Sequence, residues 1–186
     1  MTIINSLDFE MNQPSGAIIQ LGAAAIDLSN GRLVGKLSLF VNPHETLDKR
    51  IIELTGIDQE EVDTGMELED ALRTFWDWTK SKRLLAWGYD AHQLLEHSKK
   101  LGIPYPSVTI IDLKGVVELM RPAFTGTGKK KRGLLSAMQL FGLEFQGRQH
   151  DGLDDAYNTA RLAYEITKRM KAFNGIQDLV GSWARA

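Results

Sequence analysis

The chain has 186 residues, 43% hydrophobic and 25% charged, with 5 Pro and no Cys, which suits one domain over residues 1–186 and excludes a disordered or fibrous chain. Without cysteine there is no disulfide, thiolate nucleophile or Cys-based zinc site, so a metal would be held by Asp, Glu, His or main-chain oxygen, and hard cations are favoured. The net charge of −2 conceals a split: residues 1–120 hold 11 Lys+Arg against 18 Asp+Glu, whereas residues 121–186 hold 11 against 6.

Ile3–Phe9 and Ala17–Asp27 read as strands separated by the turn Asn12-Gln13-Pro14-Ser15-Gly16. Arg32–Val41 follows the hairpin signal Asn30-Gly31 as a third strand. The period then changes. Ile51, Ile52 and Leu54 before Gly56 mark a short helix, and Leu68, Leu72, Phe75 and Trp76 a longer one. Arg83–Trp87 and Val108–Ile111 read as strands, each leading into a helix, the second capped by Asp112. Gly133–Phe141 and Gly152 to about Phe173 complete the helices.

Three antiparallel strands followed by two strand–helix units predict an α/β fold with a mixed five-stranded sheet, the last two strands parallel. No basic leader precedes an apolar core, and nowhere do about 18 apolar residues run together. The expected location is the cytoplasm, with no membrane partner.

Asp8 and Glu10 stand two apart at the end of the first strand, so both carboxylates project from one face while Phe9 points to the other. Chelation of hard cations is one reason to tolerate that repulsion; a solvated strand end is the bland alternative. Asp90 begins a helix, in line with Leu94, Ser98 and Leu101, and reads equally as a helix cap. On the last helix Asp155 shares a stripe with Thr159, Leu162 and Ile166 and should point inward. Asp154 lines up with Asn158, Arg161 and Glu165 and should be solvated. His150, just ahead of that helix, can accept a proton from a metal-bound water. His44, His92 and His97 read as surface or packing residues, and Trp76, Trp78 and Trp87 as core. Lys129, Lys130, Lys131 and Arg132 form either a solvated run or a hold on phosphates.

Asp8-x-Glu10, Asp90, then His150 and Asp155 five residues apart, in that order, resemble the DEDDh 3′-to-5′ exonucleases of the ribonuclease H-like superfamily. Ile18-Ile19-Gln20-Leu21-Gly22-Ala23 is similar to the family as well, and Leu54-Thr55-Gly56-Ile57 and Gly152-Leu153-Asp154-Asp155-Ala156 look most similar to the branch that trims RNA 3′ ends. Met11 and Ala17 depart from the family's usual Thr and acidic residue. The resemblance implies that Asp8, Glu10, Asp90 and Asp155 hold two Mg²⁺ or Mn²⁺ ions roughly 4 Å apart. It further implies that His150 is the general base, that Phe9 and Met11 contact the terminal nucleotide, and that nucleoside 5′-monophosphates leave a 3′ end of RNA or single-stranded DNA. A non-catalytic nucleic-acid-binding or polymerase-associated module, and a phosphodiesterase restricted to short oligonucleotides, are the alternatives. The oligomeric state stays open, a homodimer included.

Overall fold

The computed structural model describes residues 2–124 and 133–183, with side chains described for 2–120 and 133–170. Its elements, in chain order, are β1 (Ile3–Met11), β2 (Ile18–Asp27), β3 (Arg32–Phe40), α1 (Lys49–Thr55), α2 (Gln59–Asp63), α3 (Leu68–Trp78), β4 (Arg83–Ala86), α4 (Asp90–Lys100), β5 (Thr109–Asp112), α5 (Leu113–Phe124), α6 (Leu134–Leu140) and α7 (Gly152–Trp183). The sheet order is β3-β2-β1-β4-β5. β1–β2 and β2–β3 are antiparallel, β1–β4 and β4–β5 parallel, as the expected meander with two crossovers requires.

Both faces of this sheet are covered. On one, Leu7, Phe9, Leu21, Ala23, Leu84 and Ala86 meet Leu72, Phe75 and Trp76 of α3 and Leu94 of α4. On the other, Ile4, Ile26 and Leu85 meet Val117 of α5, Met138 of α6 and Leu162 and Ile166 of α7. Fully burying each such aliphatic side chain stabilises the fold by about 1.5–3 kcal/mol. β2 is buried at all ten positions, which is why it reads as a continuous apolar run rather than an alternating one. Trp76 Nε1 donates to Ser98 Oγ at 2.9 Å, tying α3 to α4.

Two elements differ from the sequence expectation. α2 was not anticipated, because five residues are too few to show a helical period; a reciprocal capping box between Asp58 and Glu61 starts it. α7 runs about ten residues past Phe173. No proline intervenes, and an interior glycine such as Gly175 costs a helix only about 1 kcal/mol. Among the described residues no helix is long and apolar enough to cross a membrane.

The start of α7 is pressed directly onto the sheet. A Cβ on Gly22 would lie 1.9 Å from the carbonyl carbon of Gly152, so only glycine fits there. Gln20, buried on the same strand, accepts the Gly152 N–H at 2.7 Å and donates to Asp151 Oδ2 at 3.2 Å. Asp151 in turn caps the helix by accepting the Asp154 N–H at 3.0 Å.

Candidate active site

β1 delivers two carboxylates to the face that α7 covers. Asp8 lies opposite Gly22 and Glu10 opposite Gln20 in the β1–β2 register, so both sit beside the α7 start. The register shifts between Glu10 and Met11. Met11 packs with the Leu7–Phe9 core, on the face that strand alternation gives it, and meets Gln93 Nε2 at 3.7 Å. Phe9 lines the cleft beside the carboxylates and Met11 does not.

Asp90 comes from the other side, where β4 gives way to α4. The helix-capping alternative fails: Tyr89 occupies the cap position without a side-chain bond, and Asp90 is the first helical residue. Its carboxylate instead hydrogen-bonds the side chain of Asp8 and accepts the backbone N–H of Phe9. Of its expected inward stripe, Leu94 and Ser98 are buried while Leu101 is exposed. Asp112 does act as a cap, its Oδ1 accepting the N–H groups of Gly115 at 3.2 Å and Gly88 at 3.1 Å.

Asp155 lies in the first turn of α7, and its Oδ2 accepts the His150 N–H at 3.2 Å. His150 itself has φ +62. One ligand atom each from Glu10, His150 and Asp155 lie within 4.8 Å of one another. The cleft above them has a volume of about 350 Å³, with Trp87, Leu134 and Phe145 as apolar walls around Asp8, Glu10, His150 and Asp155, and Phe9 lining it between the two β1 carboxylates. Asp8 and Asp90 are joined to that group through their shared hydrogen bond. The structure therefore brings together all five residues singled out for chemistry.

Asp154 corrects the expectation of a solvated side chain. It is half-buried, and its Oδ2 accepts the Arg148 N–H at 2.7 Å. Asn158, on the same stripe, is fully buried. The stripe misled because the segment that covers it is distant in the helical wheel and close only in the fold. Trp87 belongs to the cleft wall as much as to the core; its position three residues before Asp90 was the available signal. Leu134 and Phe145 carried none. His92 stacks on exposed Tyr89, ring centroids 5.1 Å apart, and His44 pairs with Glu67 at 2.9 Å, both at the surface as read. Lys129, Lys130, Lys131 and Arg132 lie outside the described residues.

Four carboxylates collected in this way resist ionising together. Burial holds Asp8 well above the ordinary carboxylate range, with Asp90, Asp155 and Glu10 adding to the effect. Burial, then the charges of Asp155, Asp151 and Asp90, push Glu10 up to about 8. Burial also lifts Asp90 to about 6, against the opposing hydrogen bonds from Asp8 and the Phe9 N–H. Asp155 rises to about 6 for the same first reason, the His150 N–H opposing it. The ion pairs found among the described residues lie elsewhere, at His44–Glu67, Arg73–Glu69 and around Glu165. A hard-oxygen donor set with one imidazole, and with no ion pair to Lys or Arg among the described residues, suits divalent metal ions.

A family model described as Exonuclease, RNase_T, matches residues 6–163. Human ERI1 exoribonuclease 2 is 28% identical over 189 residues, which take in 83% of this chain and 26% of that protein. The PolC-type DNA polymerase III of Staphylococcus epidermidis is 30% identical over 156 residues, 83% of this chain and 10% of its own. The chain thus spans about a quarter of the ERI1 relatives' length. Among solved structures, the nuclease domain of 3′hExo, a DEDDh family member bound to rAMP, superposes with a TM-score of 0.74 at 23% identity, covering 90% of this chain and 92% of that one. E. coli exonuclease I in complex with a dT13 oligonucleotide gives 0.70 at 16% identity, covering 95% and 43%. The mixed five-stranded sheet expected from the strand order, ribonuclease H-like as the resemblance implies, is the fold observed.

Proposed function

Because the chain belongs to the RNase_T exonuclease family, we propose that residues 1–186 form one exonuclease domain that removes nucleoside 5′-monophosphates from the 3′ end of RNA or single-stranded DNA. The observation that carries this reading is the meeting of Asp8 and Glu10 of β1, Asp155 of α7 and His150 of the segment before it at one cleft, with Asp90 of α4 joined to them through Asp8. A binding module without chemistry has no use for four mutually repelling carboxylates that burial makes costly to ionise.

Asp8, Glu10, Asp90 and Asp155 would hold two Mg²⁺ or Mn²⁺ ions. When bound, such ions supply an activated water and neutralise the charge that builds on the phosphate and leaving oxygen. His150, exposed at the rim and within reach of Glu10 and Asp155, accepts the proton of the attacking water. Asp155 fixes the backbone of that histidine through its N–H. Trp87, Leu134 and Phe145 give the terminal sugar and base an apolar seat that a phosphate group cannot share, with Phe9 lining the same cleft between the two β1 carboxylates. The run from Lys129 to Arg132 adds positive charge for the phosphates behind the scissile one.

The test is incubation of the chain with matched 5′-labelled RNA and DNA oligonucleotides and Mg²⁺ or Mn²⁺, resolved on a denaturing gel. A ladder shortening from the 3′ end, lost with a chelator, is expected. Intact oligonucleotide under all conditions, or full activity in excess chelator, would overturn the reading.

A further inference from the structure

The segment between α6 and α7 approaches the cleft without secondary structure of its own, yet its main chain is held at alternate residues by side chains of one helix. Arg161 Nη1 donates to Glu144 O at 2.8 Å. Asn158 holds both polar groups of residue 146, accepting the Gln146 N–H at 3.0 Å and donating to Gln146 O at 2.7 Å. Asp154 Oδ2 accepts the Arg148 N–H at 2.7 Å, and Asp155 Oδ2 the His150 N–H at 3.2 Å. Residues 144, 146, 148 and 150 are thus bound in turn by 161, 158, 154 and 155. The face of α7 serves this segment as a neighbouring strand would.

The members also brace one another. Arg161 Nη1 donates to Asn158 Oδ1 at 2.8 Å, and Asn158 Nδ2 to Asp154 O at 2.8 Å. The Asp154 carboxylate occupies the place of a side chain at residue 147: a Cβ on Gly147, where φ is +84, would lie 2.1 Å from Asp154 Oδ2. On the far side, the Arg148 guanidinium fills the space over Gly56 at the end of α1. His150 closes this ladder in the left-handed region, which is uncommon outside glycine and costs energy that the surrounding bonds offset.

We propose that Asp154, Asn158 and Arg161 are positioning residues that set the His150 imidazole against Glu10 and Asp155, so that losing them slows proton transfer while leaving metal and substrate binding intact. The inference rests on His150 being the base. A displacement of about 1 Å at a reacting group suffices to cost about 10²-fold in rate, and this segment has no other anchor of comparable density among the described residues.

The test is a double-mutant cycle on single-turnover cleavage, with KM and Mn²⁺ affinity measured alongside and folding checked by circular dichroism. Asp154→Ala should lower the rate tenfold or more, with KM and Mn²⁺ affinity within twofold of the unmodified chain. Asp154→Asn keeps an acceptor for the Arg148 N–H and should recover most of that rate. In the His150→Ala background, Asp154→Ala should change nothing further. An Asp154→Ala protein as fast as the parent, one whose KM rises or metal affinity falls in step with the loss of rate, or a substitution that slows the His150→Ala protein by the same tenfold, overturns the positioning role alone. A His150→Ala protein at full speed overturns the base assignment and the positioning role together.

Discussion

The two sides of β1 make a comparison within one strand. Leu7 and Phe9 point into the apolar layer with α3 and α4, where every atom buried adds to stability. Asp8 and Glu10 point the other way, beneath α7, where burial raises the cost of each charge. Neighbouring residues on one backbone thus carry opposite energetics. The side that holds the fold together keeps rigid the side that would otherwise push itself apart, and the repulsion is what makes the second side a receptor for cations.

The largest expected effect comes from uncharging one member of the repelling side. Asp8→Asn or Asp155→Asn keeps shape and hydrogen bonding yet removes a proposed metal ligand, so turnover should fall by at least about 10²- to 10³-fold, as when one preorganised electrostatic group is removed. The same variants should melt a few degrees higher than the parent at pH 8 in chelator, because about 1 kcal/mol shifts Tm by roughly 2–4 °C in a domain near this size. A variant that loses both activity and stability would show that Asp8 or Asp155 is structural.

Breaking the opposite side should reverse the pattern. Leu7→Ala leaves a cavity in a fully buried position and should cost about 2–5 kcal/mol in urea unfolding. Turnover per folded molecule, measured well below the melting temperature, should stay within a few-fold of the parent. A thousandfold loss of activity from a folded Leu7→Ala protein would mean that the two sides are not separable.

The smallest effect is a slope. With Glu10 held near 8, Asp90 and Asp155 near 6, and Asp8 also raised, the native chain without metal keeps protons that the unfolded chain releases near pH 4. Native-state proton excess makes stability fall as pH rises. Urea midpoints in chelator should therefore decline from about pH 4 to about pH 8, and saturating Mg²⁺ should flatten that decline. Midpoints that rise over this range would contradict the sign.

Most of the sheet was legible because its signals are local. Apolar runs between turn residues located five strands, and the period of α7 placed Asp155 inward correctly. The same wheel placed Asp154, on a stripe with Asn158 and Arg161, in solvent, since helical periodicity reports which residues share a stripe and is silent on what covers it. Residues 144–148 do, 6–17 positions away along the chain. Met11 keeps the strand's alternation, packing with Leu7 and Phe9, although the register shifts after Glu10. The cleft walls Leu134 and Phe145 depend on how α6 and its following segment pack, which no short window contains.

The approach of Gly22 to Gly152 bears on how the cleft tolerates change elsewhere. Main chain rests there on main chain, without the compressible layer of side chains that separates most helices from sheets. The gap between the strand that carries Asp8 and the helix that carries Asp155 is therefore gauged by two backbones and one glutamine, like a jaw closed against a stop. Rotamer changes or substitutions in the surrounding core can shift the outer parts of α7 while that spacing holds. A methyl group at residue 22 would wedge it open at the hinge end and separate the two sides of the chelate at once.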